Sequence, residues 1–427
     1  MKKQISPATV ALITGGIDRH YACAIGKALA SAGVSLDVVG NAEMDSCGMR
    51  SLGNVRLIAL YAMPRPGQDI FRKLFSCFAV YLRMIRYAAG ASPRTFHILW
   101  NYKFPYFDRT FLLLYYKLLG KKIVFTAHNV NAAERDGVDS PSNRLTLRIQ
   151  YRLVDHIFVH TESMKDGLRR NFGISQDRVT VIPFGVGDMV PQTGLTPAEA
   201  KRHLGLGSSD RTVLFFGRIV GYKGLDLLVN AFLRLALRDR RYRLIIAGEP
   251  VKESAQHWEE VRGVIEASPA REQVLQEIRF IGDAEMEIYF KAADALILPY
   301  KQIYQSGVLF MSHNFGLPVI ATDVGTFRDD IVEGTTGYVC RPDDPEDLAK
   351  KIEVYFSSDL FRDLDERRAS IQNSIRQSHS WNGVAKTTAG VYARVSQGEP
   401  SERRAVSAGL TGVHLRNQAD VTESRDA

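Results

Sequence analysis

The chain has 427 residues, of which 45% are hydrophobic and 24% charged, and carries a formal net charge of +8. This is room for two globular domains with real cores, and the composition speaks against a disordered or fibrous chain. The four cysteines (Cys23, Cys47, Cys77 and Cys340) form no CxxC pair and no closely spaced framework, which speaks against a disulfide scaffold or a zinc site and for a reducing compartment.

In chain order, short β-branched runs alternate with helix-period stretches. Strands are predicted at 10–14, 35–39, 55–59, 97–99, 123–127, 156–160 and 179–182. Helices are predicted at 21–32, 70–88, 107–119, 142–151 and 163–172. This alternation implies a parallel sheet covered on both faces. It restarts after a Gly-, Pro- and Ser-rich joint at 183–210 that carries one short helix, with strands at 212–216, 244–247, 278–281, 295–298, 318–322 and 337–339. Helices at 346–356 and 381–395 follow, and 396–427 read as a disordered tail. No apolar stretch is long enough to span a bilayer, and the N-terminus lacks a signal-peptide pattern, so a cytoplasmic protein is expected.

Charge is shared unevenly. Residues 1–184 hold 25 Lys and Arg against 13 Asp and Glu, and the rest hold 30 against 34. A basic first half attracts an anionic partner, although a chance excess on a solvated surface gives the same count. The predicted helix 70–88 bears Phe71, Leu74, Phe75, Phe78, Leu82 and Ile85 beside Arg72, Lys73, Arg83 and Arg86. It reads first as a helix packed on the sheet with its charges in water. A basic amphipathic helix at a membrane interface is the other reading.

Two glycine-bearing turns follow strands. Gly15-Gly16 ends the first strand ahead of a helix, where backbone can approach an anion, though a plain tight turn looks the same. Gly217-Arg218-Ile219-Val220-Gly221-Tyr222-Lys223-Gly224 joins a strand to a helix and carries two cations. Arg offers a planar fork to phosphate oxygens and Lys a compact charge, so the loop suits a diphosphate. It lacks GxxxxGK[ST], and the first turn lacks GxGxxG, so neither a P-loop nor a dinucleotide fingerprint is present. His128-Asn129 ends an apolar strand, where sites form in parallel sheets; a structural histidine is the plain alternative. Glu134 and Asp136 lie just beyond, on a loop suited to acceptor contact. The pair His156/His160 spans a strand and is no metal motif.

The segments 217–232 (GRIVGYKGLDLLVNAF), 244–250 (LIIAGEP), 278–300 and 316–352 resemble the donor half of the retaining GT-B glycosyltransferases of family 4. The opening segment from Thr14 and FTAHN (125–129) are similar to the family's acceptor domain. The resemblance implies an α/β GT-B fold of two Rossmann-like domains facing across a cleft. They would be an acceptor-side domain at 1–184, completed by a C-terminal helix at 379–395, and a donor domain at 185–378. The implied activity is retaining transfer from a UDP- or GDP-linked sugar to an acceptor hydroxyl, in bacterial polysaccharide or glycolipid biosynthesis. A nucleotide-sugar 2-epimerase of the same fold, or a non-catalytic transferase partner, are the alternatives.

Arg218, Lys223 and His128 would be the catalytic residues. Gly15, Gly16, Gly217, Gly248, Glu249, Gly282, Gln305, Ser306, Gly307 and Val308 would contact the donor, and Asn129, Glu134 and Asp136 the acceptor. Partners would be the nucleotide-sugar donor, a glycan or lipid-linked acceptor and an anionic membrane surface on the inner face of the membrane. No nucleic acid, metal or other cofactor is expected. The family's Glu-x7-Glu pair falls here on Ile303 and Met311, so both carboxylates are missing.

Overall fold

Strand runs that are apolar on both faces fold into two fully parallel sheets, as expected for strands buried beneath helices on each side. A computed structural model describes residues 9–61, 69–187 and 192–397. The first sheet holds β1 (Thr9–Ile13), β2 (Ser35–Asn41), β3 (Val55–Tyr61), β4 (Thr95–Ile98), β5 (Lys122–Thr126), β6 (His156–Val159) and β7 (Val179–Val181). Their order is β3-β2-β1-β4-β5-β6-β7. The second holds β8 (Arg211–Phe216), β9 (Tyr242–Ala247), β10 (Val274–Glu277), β11 (Ala295–Leu298), β12 (Val319–Thr322) and β13 (Gly337–Cys340), ordered β10-β9-β8-β11-β12-β13. Each sheet reverses its winding beside its first strand, between β1 and β4 and between β8 and β11. Crevices for ligands open at the carboxyl ends of strands at such points.

Each sheet has a hydrophobic cluster on either face. Helix α1 (Arg19–Ser31) starts where the Asp18 side chain accepts from the Tyr21 N–H at 3.0 Å, and it packs on the first sheet. The last described helix, Trp381–Gln397, returns to that same sheet. It buries Val384, Ala385, Val391 and Tyr392 there, and the Tyr392 hydroxyl lies 2.5 Å from His97 Nδ1.

Four features depart from the sequence expectations or lie beyond them. Cys23 of α1 and Cys47 are joined in a disulfide with Cα atoms 6.2 Å apart, against the expectation of none. Their spacing of 24 residues hides the pairing, because β2 must first return beside β1 to lay the turn carrying Cys47 over α1. The expected strand at 278–281 is irregular, and β10 lies just before it at Val274–Glu277. Phe280 there is exposed and lines a surface cavity instead of pairing in the sheet. Following α2 (Ile70–Gly90), the expected helix at 107–119 begins earlier, as α3 (Pro105–Phe107), runs through a π turn at Asp108–Leu112 and ends as α4 (Leu113–Leu118). The expected disordered tail lies, beyond Gln397, outside the described residues.

Candidate active site

The phosphate-type loop sits where the second sheet reverses. β8 ends at Phe216, Gly217 turns the chain with φ of +98°, and a short 3-10 turn at Gly221–Lys223 leads into the helix Leu225–Ala236. The loop is tight because β9 ends against it. A Cβ on Gly248 would lie 2.1 Å from the Gly217 carbonyl oxygen, so only glycine fits there. Gly217, Arg218, Gly248, Glu249, Phe280 and Ile281 line one cavity, which brings together donor residues read from separate stretches of sequence. Gly282 follows at its edge, as the N-cap of the helix Asp283–Ala292.

Lys223 is 9% exposed, yet among the described residues it makes no ion pair. Its ammonium lies 5.7 Å from the centre of the Tyr300 ring. Burial first, and then the charges of Arg218 and Arg135, push its pKa down to about 8. A buried cation pressed by two other cations is costly unless an anion arrives. Arg218 is exposed at the mouth of the same loop.

The first sheet supplies the opposite wall. Gly15 has φ of +63°, and a Cβ there would meet the Trp100 carbonyl oxygen at 2.6 Å, so the turn after β1 is pressed onto the segment after β4. Gly16 is exposed, and a Cβ there would touch the Tyr61 ring at 3.6 Å. His128 follows β5. Its ring stacks on Trp100 at 4.2 Å between centroids and meets Tyr21 edge-on. Its Nδ1 lies 3.0 Å from His160 Nε2, and His160 Nδ1 lies 3.1 Å from the Ile182 carbonyl oxygen.

These contacts fix the tautomers. The Ile182 carbonyl can only accept, so His160 Nδ1 carries the proton and its Nε2 is an acceptor. His128 must then donate from Nδ1, which leaves its Nε2 as a bare acceptor. That atom is sealed from solvent and has no partner in the structure. Burial first, and then His160 and His97, hold the His128 pKa well below the usual imidazole value, and burial lowers His160 to about 4. Both rings are neutral at pH 7.

The variant loop packs beneath the segment after β12. Thr326 N–H donates to the Tyr304 carbonyl at 3.1 Å, and the Thr326 hydroxyl donates to Asp330 at 2.6 Å. The Gln305 side chain lies beside Asp330 and favours its charged form, and its own Oε1 is buried without a partner. Burial raises the Asp330 carboxyl to about 6. Ser306 is buried at the start of the helix Gly307–Asn314, Gly307 backs onto the Phe184 ring, and Val308 packs into the second domain's core. A carboxyl is therefore present behind the variant loop although both family glutamates are gone. Nothing in its spacing, 14 residues past Gly316, marks it in the sequence.

On the acceptor side, Asp136 is paired with Arg135 at 2.7 Å, and Asn129 accepts from Arg135 at 3.4 Å. Glu134 accepts from Asn131 at 3.5 Å and lies 3.7 Å from Arg144. Both carboxylates thus hold arginines in place. Arg135 itself, on α5 (Ala132–Arg135), reaches over the Tyr222 ring of the second domain at 4.5 Å. A second contact crosses the cleft, where Arg19 and His20 lie 2.7 and 2.9 Å from Asp283. Neither crossing is visible in sequence, since each joins residues far apart in the chain. Among the described residues, no three His, Cys, Asp or Glu side chains converge as a metal site.

Two facing Rossmann-like units with an anion-ready loop between them define a GT-B protein. The profile described as Glycosyltransferase Family 4 matches residues 14–188, and the one described as Glycosyl transferases group 1 matches 210–358. The chain belongs to family 4 of the GT-B glycosyltransferases. It is 26% identical to the D-inositol 3-phosphate glycosyltransferase of Corynebacterium aurimucosum over 64% of this chain; the match spans 66% of that protein, just under two thirds of its length. Among solved structures, the sucrose-phosphate synthase of Thermosynechococcus elongatus superposes with a TM-score of 0.73 at 17% identity, covering 92% of this chain and all of that one. Anabaena HepE in complex with UDP-glucose superposes at 0.69 and 14% identity, covering 90% and 99%. At these identities the structural likenesses speak for the fold.

Proposed function

We propose that the enzyme moves a sugar, with retention, from a UDP- or GDP-linked donor to an acceptor hydroxyl of a glycan or lipid-linked saccharide, in bacterial polysaccharide or glycolipid synthesis. The observation that carries this reading is Lys223, a buried lysine with cations around it and no anionic partner. A diphosphate at the Gly217–Gly224 loop would meet Lys223 from inside and Arg218 from the mouth, and the nucleotide would lie along Gly248, Glu249 and Phe280. HepE, of the same fold, is solved with UDP-glucose, which favours a uridine donor.

As the bond from sugar to diphosphate breaks, negative charge grows on the leaving oxygen. The two cations stabilise that charge in a partly dry cleft. The acceptor oxygen attacks from the same face, and its proton passes to the leaving phosphate oxygen. No protein base is needed, consistent with Glu134 and Asp136 being committed to arginines. Once the rings that seal it shift to admit the donor, the bare Nε2 of neutral His128 would accept a hydrogen bond from a donor-sugar hydroxyl. Gln305, backed by Asp330, would hold another.

The test offers the full-length protein UDP- and GDP-linked sugars with saccharide acceptors, and reads product configuration by NMR. Retained configuration at the transferred carbon is expected. Isomerised donor without transfer would point to the 2-epimerase. Donor binding without turnover for any pair would point to the non-catalytic partner. Inverted configuration would sink the retaining mechanism.

A further inference from the structure

Of the 19 large hydrophobic side chains that the described residues expose, 11 lie between Phe71 and Leu119. They fall on two adjoining elements. In α2, Cys77, Val80, Tyr81, Met84 and Ala88 face the sheet and are buried. At 3.6 residues per turn, Phe71, Leu74, Phe75, Phe78 and Leu82 form the next strip around the helix, and all are exposed. Arg72, Arg83 and Arg86 come next, also exposed. The helix is thus apolar over an arc wider than the sheet can cover, with a basic edge.

The second element continues the face. Phe104 stacks on Tyr81 at 5.7 Å, and Phe107 meets Tyr81 edge-on and stacks on Phe111. Phe111, Leu114 and Leu118, spaced by three and four, are exposed along the π turn and α4. A contiguous apolar surface of this kind marks an interaction site.

We infer that this face, from Phe71 to Leu82 with Phe104, Phe111, Leu114 and Leu118, docks the enzyme on an anionic lipid bilayer. Charge selects the occupant. The helix α2 holds no Asp or Glu, so in a twofold contact a second copy of α2 would offer Arg72, Arg83 and Arg86 no counter-charge. A bilayer with anionic headgroups takes the apolar strip into its interface and pairs the arginines. The net positive charge of the first half of the chain acts in the same direction. Among the described residues no helix is long and apolar enough to cross a membrane, so the protein would lie on the surface.

The face also leads to the cleft. Tyr81 meets Tyr102 at 5.6 Å, Tyr102 meets Tyr61 at 4.9 Å, and Tyr61 fronts Gly16. An aromatic path therefore joins the docking surface to the turn that faces the donor. Resting on the transferase reading, the acceptor would enter from the bilayer along this side.

The docking test is independent of that reading. Purified full-length protein is sedimented with vesicles of phosphatidylcholine alone or mixed with phosphatidylglycerol. Binding is expected with the anionic vesicles and release is expected in high salt. Phe75→Ser/Phe78→Ser should weaken binding about tenfold, because both rings leave water on docking. Arg86→Glu should weaken it about fivefold. These side chains are exposed, so the melting temperature should hold; a variant that melts early is replaced by Leu118→Ser. Failure to bind anionic vesicles, or equal binding by wild type and the double variant, overturns the proposal. So does a wild-type dimer in solution that the double variant converts to monomer, since the face would then be covered by a second copy.

Discussion

Two buried lysines of the second domain make opposite use of their charge. Lys201, 7% exposed, donates to Asp294 at 2.9 Å and to the Asp210 carbonyl at 2.8 Å. Asp294 in turn accepts from the Thr212 N–H at 2.8 Å, so the pair ties the helix Pro197–His203 to the base of the sheet. Lys223, 9% exposed at the other end of the same strand, has cations for neighbours. Burial alone does not distinguish a structural lysine from a binding one. The partner does: a satisfied charge holds the fold, and an unsatisfied one waits for a ligand.

Substituting the two lysines separates these roles and should give the largest effects. Lys201→Met leaves Asp294 buried without its cation and should cost about 3–5 kcal/mol of stability, read by chemical denaturation. Lys223→Met removes an unpaired buried charge, so the unliganded fold should hold or gain stability. Its turnover should fall about 10²–10³-fold, the scale of losing one preorganised group at developing negative charge. If Lys223→Met unfolds the protein while Lys201→Met leaves it intact, the contrast is false.

Arg218 should matter next. It is exposed, so Arg218→Ala should leave the melting temperature unchanged and weaken donor binding by about 1.5–3 kcal/mol, measured by calorimetry. The pH dependence sharpens the same point. Lys223 is charged below its folded pKa of about 8 and loses its proton above it. Donor affinity should therefore be steady at pH 7 and fall as pH rises through about 8. Without donor the sign reverses for stability. Between about 8 and the unfolded value of about 10.4 the unfolded chain binds more protons, so folding becomes more favourable as pH rises. Lys223→Arg should flatten both curves.

The Gly217–Gly224 turn was legible in the sequence as a candidate phosphate site because its pattern is contiguous: strand, glycine, two cations, glycine and helix lie within some twenty residues. The sheet alternation was legible because buried parallel strands leave apolar runs. What stayed hidden depends on the return of distant chain. The Cys23–Cys47 bridge forms only after β2 folds back. The proton order in His128–His160 depends on the Ile182 carbonyl. Asp330 stands behind Gln305 only because the segment after β12 packs on the variant loop. The helix α2 was half legible: its period showed one buried face, but only the packed structure shows that the adjoining apolar strip stays uncovered.

The cleft contacts should give the smallest effect. Arg19 and His20 of the first domain meet Asp283 of the second, two residues past Ile281 in the lining of the Arg218 cavity. The three side chains are a quarter to a third exposed, so solvent screens them, and exposed pairs are worth roughly 0–1 kcal/mol. Asp283→Asn keeps the shape and removes the charge. If the contact helps hold the cleft closed over the donor, the variant should bind donor up to about fivefold more weakly, with an unchanged melting temperature and a larger loss at low salt than at high salt. A pair that merely decorates the rim would leave affinity the same at every salt concentration. Adding Arg135→Lys at the Tyr222 contact tests whether the two crossings act on one motion. A shared closure makes the double variant's loss differ from the sum of the single losses, whereas independent contacts add.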